Sequence, residues 1–266
     1  MQDWFVGTMK GVILGIAPRA AIVDLTHEIP AGNIRAGAFA LAASYRFFPK
    51  GTVHVAVVDP GVGGARKAIV VQTANYLFVG PDNGVLSLAL AREKIKSVRR
   101  LENANYFLQP VSHTFHGRDI FAPVAAHLSR GVPIRKVGPA QKDLVRLSWP
   151  QPRVRRNQID GEVVFIDRFG NAITNIQNTS LRPKTAVVPG RRPALRSTSV
   201  YTKNTGGEVF FGRRRVCQVK VFYQSVPTGR AVAVPGSSGF LEIAVNGGSA
   251  AKRFGLKVGD RVKIIV

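Results

Sequence analysis

Between Val6 and about Gly138, apolar stretches of helical and of strand period take turns; after the stretch WPQPRVRRNQ only short strands separated by glycine turns follow. That switch in period constrains the fold more than any single residue, because helices and strands bury apolar side chains at different spacings. In the first part, VGTMKGVILGIAP reads as a helix closed by Pro18, and AAIVDLTHEIP as a buried strand running into a polar loop. IRAGAFALAASYRFFP is a second helix ahead of the strand GTVHVAVVD, and ANYLFVGPDNGVLSLALAREK repeats strand, glycine turn and helix. DIFAPVAAHLSRG is a further amphipathic helix, ended at Gly131. Such alternation predicts a layered α/β domain with a mostly parallel sheet. After the switch, GEVVFIDRFGNAITNI, RAVAVPGSSGFLEIAVN and GDRVKIIV predict an all-β unit, a small barrel or sandwich. With the boundary near residue 152, the expectation is an N-terminal α/β domain over 1–152 and a C-terminal β-barrel domain over 153–266.

The 266 residues, 45% hydrophobic, suffice for a sizeable core. No apolar run reaches the ~18 residues of a membrane helix, and MQDWFVGTMK lacks the charged start and apolar block of a signal peptide. A cytoplasmic protein without a membrane partner is expected. A single cysteine, Cys217, excludes an internal disulfide and a thiolate metal cluster, which leaves it a packing role. The formal charge of +23 raises a nucleic-acid hypothesis, with basic residues thickening from RLSWPQPRVRRNQ onward and through Leu181 to Arg215. No recognition motif accompanies them and aromatics are not regularly interleaved with the charges. A merely basic surface is the simpler expectation.

The segment GTVHVAVVDPGVGGARKAIVV stops a β-branched strand at Asp59, crosses a glycine-rich loop, and re-enters a strand just after Arg66. Loops at the carboxyl ends of strands in α/β proteins are where polar side chains meet ligands. The alternative for this one is a surface hairpin with an incidental ion pair. Further polar clusters lie in the THEIP loop, in SHTFHGRDIFAP, and in the pair IDRFGNAITN and GSSGFLEIAVN.

Together, MKGVI, IVDLTHEIP, GTVHVAVVDPGVG, FVGPDNGVLS, TFHGRDIFAPVAAHL, FGNAITNI and SSGFLEIAVN resemble, in order, the adenosine-forming S-adenosyl-L-methionine (SAM) hydrolases, or SAM hydroxide adenosyltransferases. These are related to the fluorinases and chlorinases. The resemblance implies an α/β domain joined to a β-barrel, a homotrimer holding substrate between neighbouring subunits, and no metal or cofactor, SAM being the substrate. It implies attack of a water-derived nucleophile on the ribose C5′ with loss of methionine. The family's water-activating aspartate, arginine and histidine fall on Asp59, Arg66 and His116. A guanidinium beside a buried water lowers the cost of forming hydroxide, while a carboxylate or imidazole can orient it and accept its proton. By the same resemblance Asp167 and Asn171 contact the methionine end and the adenine, and Ser237 and Ser238 hold the amino-acid carboxylate. Phe222 stacks on adenine, and Glu242 and Val245 bound its pocket. His27, His54, His113 and His127 match no reactive position and are read as structural.

The resembling proteins have an earlier strand ending in a Thr-Asp-Phe-Gly loop whose aspartate grips the ribose hydroxyls. Here the sequence begins after it, so that strand is expected to be missing; Asp3 matches a later aspartate of the loop and is carried over as substrate-binding. Fluorinases have a tyrosine in place of Asp59, a serine in place of Gly117 and an insertion absent here, and a charged Asp59 disfavours an incoming halide. The rival outside enzymology is a non-catalytic module that binds SAM or adenosine.

Overall fold

The computed structural model describes residues 3–181 and 206–265, so most of the basic stretch Leu181–Arg215 lies outside the described residues. The chain forms two compact units that divide after Ser148.

The first unit contains helices α1 (Phe5–Ile16) and α2 (Ile34–Ser44), then strands β1 (Val53–Val55), β2 (Ala68–Thr73) and β3 (Leu77–Pro81). A short helix α3 (Ser87–Leu90), strand β4 (Ile95–Arg100) and helix α4 (Ala122–Ser129) complete it. Asn33 starts α2 by accepting the Ala36 N–H on its side chain at 3.0 Å. The sheet runs β1-β3-β2-β4 and is mixed: β1 is parallel to β3, whereas β2 is antiparallel to both β3 and β4. The hairpin explains the mixture, since the Thr73–Tyr76 turn, closed by Thr73 N–H to Tyr76 O at 2.9 Å, is too short for a parallel crossover. Alternation along β2 serves two layers: Ile69 and Val71 pack with α2 and α3, and Val70 packs with Phe121 and Val124 on the opposite face.

Two sequence expectations meet a different local structure. The stretch 20–30 forms no strand, and Val23 and Leu25 are exposed. Among the described residues β1 pairs with β3 alone, so this apolar stretch has no strand beside it to satisfy its backbone. The Lys10–Asp24 ion pair, 2.6 Å, ties it to α1 instead. The long helix anticipated after the GPDNG turn is only the four residues of α3, because the chain reverses there to enter β4.

Among the described residues the second unit is an eight-stranded, barrel-like sheet. Its strands are β5 (Arg153–Val154), β6 (Gln158–Ile166), β7 (Ala172–Gln177), β8 (Glu208–Phe211), β9 (Arg214–Gln218), β10 (Ala231–Pro235), β11 (Phe240–Val245) and β12 (Arg261–Ile265). The order is β10-β11-β7-β6-β12-β8-β9 with β5 beside β6, and all these pairings are antiparallel. The end strands approach each other where Lys220 N–H donates to Ala233 O at 2.8 Å, which nearly closes the barrel. Helix α5 (Ala250–Phe254), capped by Ser249 and ended by Gly255 at φ +65°, precedes β12. The core packs Ile159, Val163, Ile176, Leu241, Ile243 and Ile264 around Cys217, whose thiol burial pushes up to about 12.

His54 on β1 is 5% exposed, stacked on Phe78 and edge-on to Tyr45, Phe48 and Tyr76, and among the described residues its Nε2 has no hydrogen-bond partner. Burial pushes its pKa down to about 4 from an ordinary 6.5. The folded state therefore binds the proton less well than the unfolded chain. The stabilisation is complete above pH ~6.5 and is lost as pH falls toward 4. Urea unfolding at pH 7 and pH 4.5 should show His54→Leu losing less stability on acidification than the unaltered chain, by on the order of 2 kcal/mol. Parallel losses in both proteins would refute this assignment.

Candidate functional site

The chain leaves β1 at Val55 and regains the sheet at Ala68. Near the two ends of that connection stand Asp59 and Arg66. Two tight turns, Val62 N–H to Asp59 O and Gly64 N–H to Gly61 O, fold the loop back on itself and bring the side chains together. Gly63 makes this possible: its φ is +75°, and a Cβ there would lie 2.2 Å from the His113 carbonyl oxygen. Helix α2 fixes the loop's start, since a Cβ on Gly37 would come within 2.8 Å of Val58.

Arg66 Nε lies 2.9 Å from each Asp59 carboxylate oxygen, and its Nη2 lies 2.5 Å from Oδ2. The two side chains are only 11% and 5% exposed, so this is not the incidental surface pair that the loop alone allowed. His116 places Nδ1 2.7 Å from the same Nη2. The guanidinium also lies over the Phe121 ring, 5.5 Å from its centroid. His116 and Phe121 flank Arg66 because residues Gly117–Phe121 form a π-helical turn leading into α4. Positions five apart would diverge by about 140° on an α-helix; a π turn brings them back onto one face.

This geometry fixes the proton on the imidazole. A guanidinium has no acceptor, so His116 Nδ1 must accept from Arg66, and the neutral ring carries its hydrogen on Nε2. Burial, and next the Arg66 charge, hold His116 below its ordinary pKa, against the opposing pull of Asp59 and Asp119. Asp59 Oδ2 takes two N–H groups and Oδ1 only one, which leaves Oδ1 spare acceptor capacity. The group thus combines a fixed cation, a carboxylate able to accept a proton, and an imidazole presenting an N–H. It can hold a water molecule and take a proton from it.

In the barrel, Asp167 and Asn171 are joined: Asp167 accepts the Asn171 backbone N–H at 2.9 Å and its side-chain amide at 3.0 Å, across a turn with Gly170 at φ +81°. Glu242 is buried and accepts the Tyr223 hydroxyl at 2.5 Å. Burial, opposed by that hydrogen bond, raises the Glu242 pKa, and burial raises that of the Tyr223 phenol. Ser237 is exposed in the turn ahead of β11, while the Ser238 hydroxyl is buried with no hydrogen-bond partner among the described residues. Phe222 is 58% exposed beside a short 3₁₀ turn, and Val245 is buried at the end of β11. Asp3 accepts the Phe5 N–H at 3.0 Å, an arrangement that starts α1.

Of the other histidines, His27 pairs with Asp24 and His127 packs edge-on against Tyr106. Sequence reasoning missed Phe121, Asp119 and Tyr223. The first two lie in the quoted TFHGRDIFAP string, but only a π turn gives them these neighbours. Tyr223 follows Phe222 directly, and nothing local links it to Glu242, 19 residues on. Among the described residues no three His, Cys, Asp or Glu side chains group as metal ligands, and no helix is long and apolar enough to cross a membrane.

Residues 1–138 match the family model of the SAM hydroxide adenosyltransferase N-terminal domain, and residues 161–263 that of the C-terminal domain. The (R)-S-adenosyl-L-methionine hydrolase of Salinispora tropica is 38% identical over 99% of this chain and 94% of its own length. The hydrolase of the same name from Thermus thermophilus is 38% identical over 100% and 96%. A fluorinase from Nocardia brasiliensis is more distant, at 27% over 100% and 94%. Among solved structures, an uncharacterized conserved protein from Thermotoga maritima superposes with a TM-score of 0.89 at 37% identity, covering 100% of this chain and 97% of that one.

Removing one member of a buried ion pair strands the other charge. Arg66→Met should lower the unfolding free energy by about 3 kcal/mol, and adding Asp59→Leu should restore part of that loss. Denaturant titration of both variants checks it. Additive losses in the double variant would mean that the two side chains are not coupled.

Proposed function

This chain belongs to the SAM hydroxide adenosyltransferase family, and from that premise we propose that it hydrolyses S-adenosyl-L-methionine to adenosine and L-methionine through Asp59, Arg66 and His116. The observation that carries the assignment of residues is the buried contact in which one guanidinium holds both the carboxylate and the imidazole.

Hydrolysis needs a nucleophile stronger than water but no acid for the leaving group. The sulfur leaves as a neutral thioether when it takes the C5′–S electron pair. The nucleophilic water sits against Asp59, forms the O–C5′ bond, and passes a proton to Asp59 Oδ1, the oxygen with spare acceptor capacity. Arg66 holds the Asp59 carboxylate in place and stabilises the negative charge that develops on the oxygen. His116 cannot take the proton at Nδ1, which is occupied by Arg66; its Nε2–H orients rather than deprotonates. A halide would bring its own negative charge toward Asp59, which favours water as nucleophile. Asp167, Asn171, Ser237, Ser238, Phe222, Glu242, Val245 and Asp3 are assigned to substrate binding. The assembly is assigned as a cytoplasmic homotrimer with substrate held between subunits.

Incubation with SAM in H₂¹⁸O tests the reading. Adenosine and methionine should form in equal amounts, with the heavy oxygen on the 5′-hydroxyl, and Asp59→Ala or Arg66→Ala should lower kcat by at least ~100-fold. Bound SAM without turnover would instead identify a binding module. Dilution below the assembly threshold should abolish activity, and a fully active monomer would refute the shared site.

A further inference from the structure

We propose that Asp119 is a positioning residue of this reaction: it locks the π turn that holds His116 and Phe121 against Arg66. The inference rests on the hydrolase reading but on different atoms. Asp119 is completely buried, and three of its polar groups tie the segment before His116 to the turn after it. Its Oδ2 accepts the Ser112 backbone N–H at 2.8 Å, and its main-chain oxygen accepts the Leu108 N–H at 2.9 Å. Its own N–H donates to Phe115 O at 3.1 Å. Arg118 neutralises the carboxylate through Nε to Oδ1 at 2.6 Å and Nη2 to Oδ2 at 3.1 Å, and lies over the Phe115 ring, 5.1 Å from its centroid. His116 sits between these anchors, with Ser112 four positions before it and Asp119 three after.

A buried carboxylate is costly unless fully paired, and here the pairing exists only if the backbone at Ser112 comes back over the turn. Satisfying Asp119 therefore enforces the five-residue turn. The turn in turn places both His116 Nδ1 and the Phe121 ring against one guanidinium. The carboxylate also favours the charged form of His116, alongside Asp59 and against Arg66 and His113.

The test is Asp119→Asn, which keeps the shape and removes the charge, with Arg118→Met as a second variant at a side chain 33% exposed. Asp119→Asn should lower kcat at least tenfold with KM for SAM within twofold. It should also move the acid limb of the kcat profile to lower pH, because His116 loses a charge that favours its protonation. Arg118→Met should likewise lower kcat with KM held. In ¹⁵N spectra the unaltered protein should carry the Nε2–H tautomer at His116, and Asp119→Asn should shift its titration downward. Either folded variant with unaltered kcat, pH profile and His116 titration would overturn the proposal. A chain that fails to turn over SAM would sink the hydrolase reading, and the His116 titration in Asp119→Asn would then decide the positioning claim alone.

Discussion

A guanidinium can only donate hydrogen bonds, and at Arg66 that limitation organises everything around it. Its neighbours must all be acceptors or ring faces, so a carboxylate, an unprotonated Nδ1 and an aromatic surface are the partners that fit. Shielding from water makes the restriction severe, since a stranded charge in such a place costs several kcal/mol. The glycine loop that folds back under the His113 carbonyl and the π turn that reaches Arg66 twice are two backbone solutions to one demand.

The barrel handles its carboxylates Asp167 and Glu242 in a different way. Asp167 spends its acceptors on its own turn, and Glu242 rests against a phenol instead of a cation. In a chain of formal charge +23, no basic side chain makes a hydrogen bond or ion pair with either of these carboxylates among the described residues. That arrangement leaves negative potential available to a cationic group. The first unit, by contrast, has already neutralised its buried Asp59.

Where the sequence was informative, it was so for local reasons. The β-branched runs, the glycine breaks and the change of period near residue 152 are each written in contiguous residues, and the chain divides into two compact units after Ser148. The motif strings identified Asp59, Arg66 and His116 by likeness, and geometry then brought the three into contact. What stayed illegible depends on residues distant in the chain. The stretch 20–30 has strand composition, yet a strand also needs a pairing partner, and among the described residues it has none. Antiparallel pairing of β2 was hidden in the length of a turn. Asp119 looked like any acid on a helix until the fold showed that it was completely enclosed.

The enclosure of Cys217 gives the molecule an internal clock. It is the chain's one thiol, packed among Ile159, Val209 and Ile264 and holding its proton to about pH 12. Thiol reagents attack the ionised, accessible form. In the native barrel both conditions fail, so reagent consumption counts openings of the β-sheet rather than surface encounters. Each molecule can register such an event once.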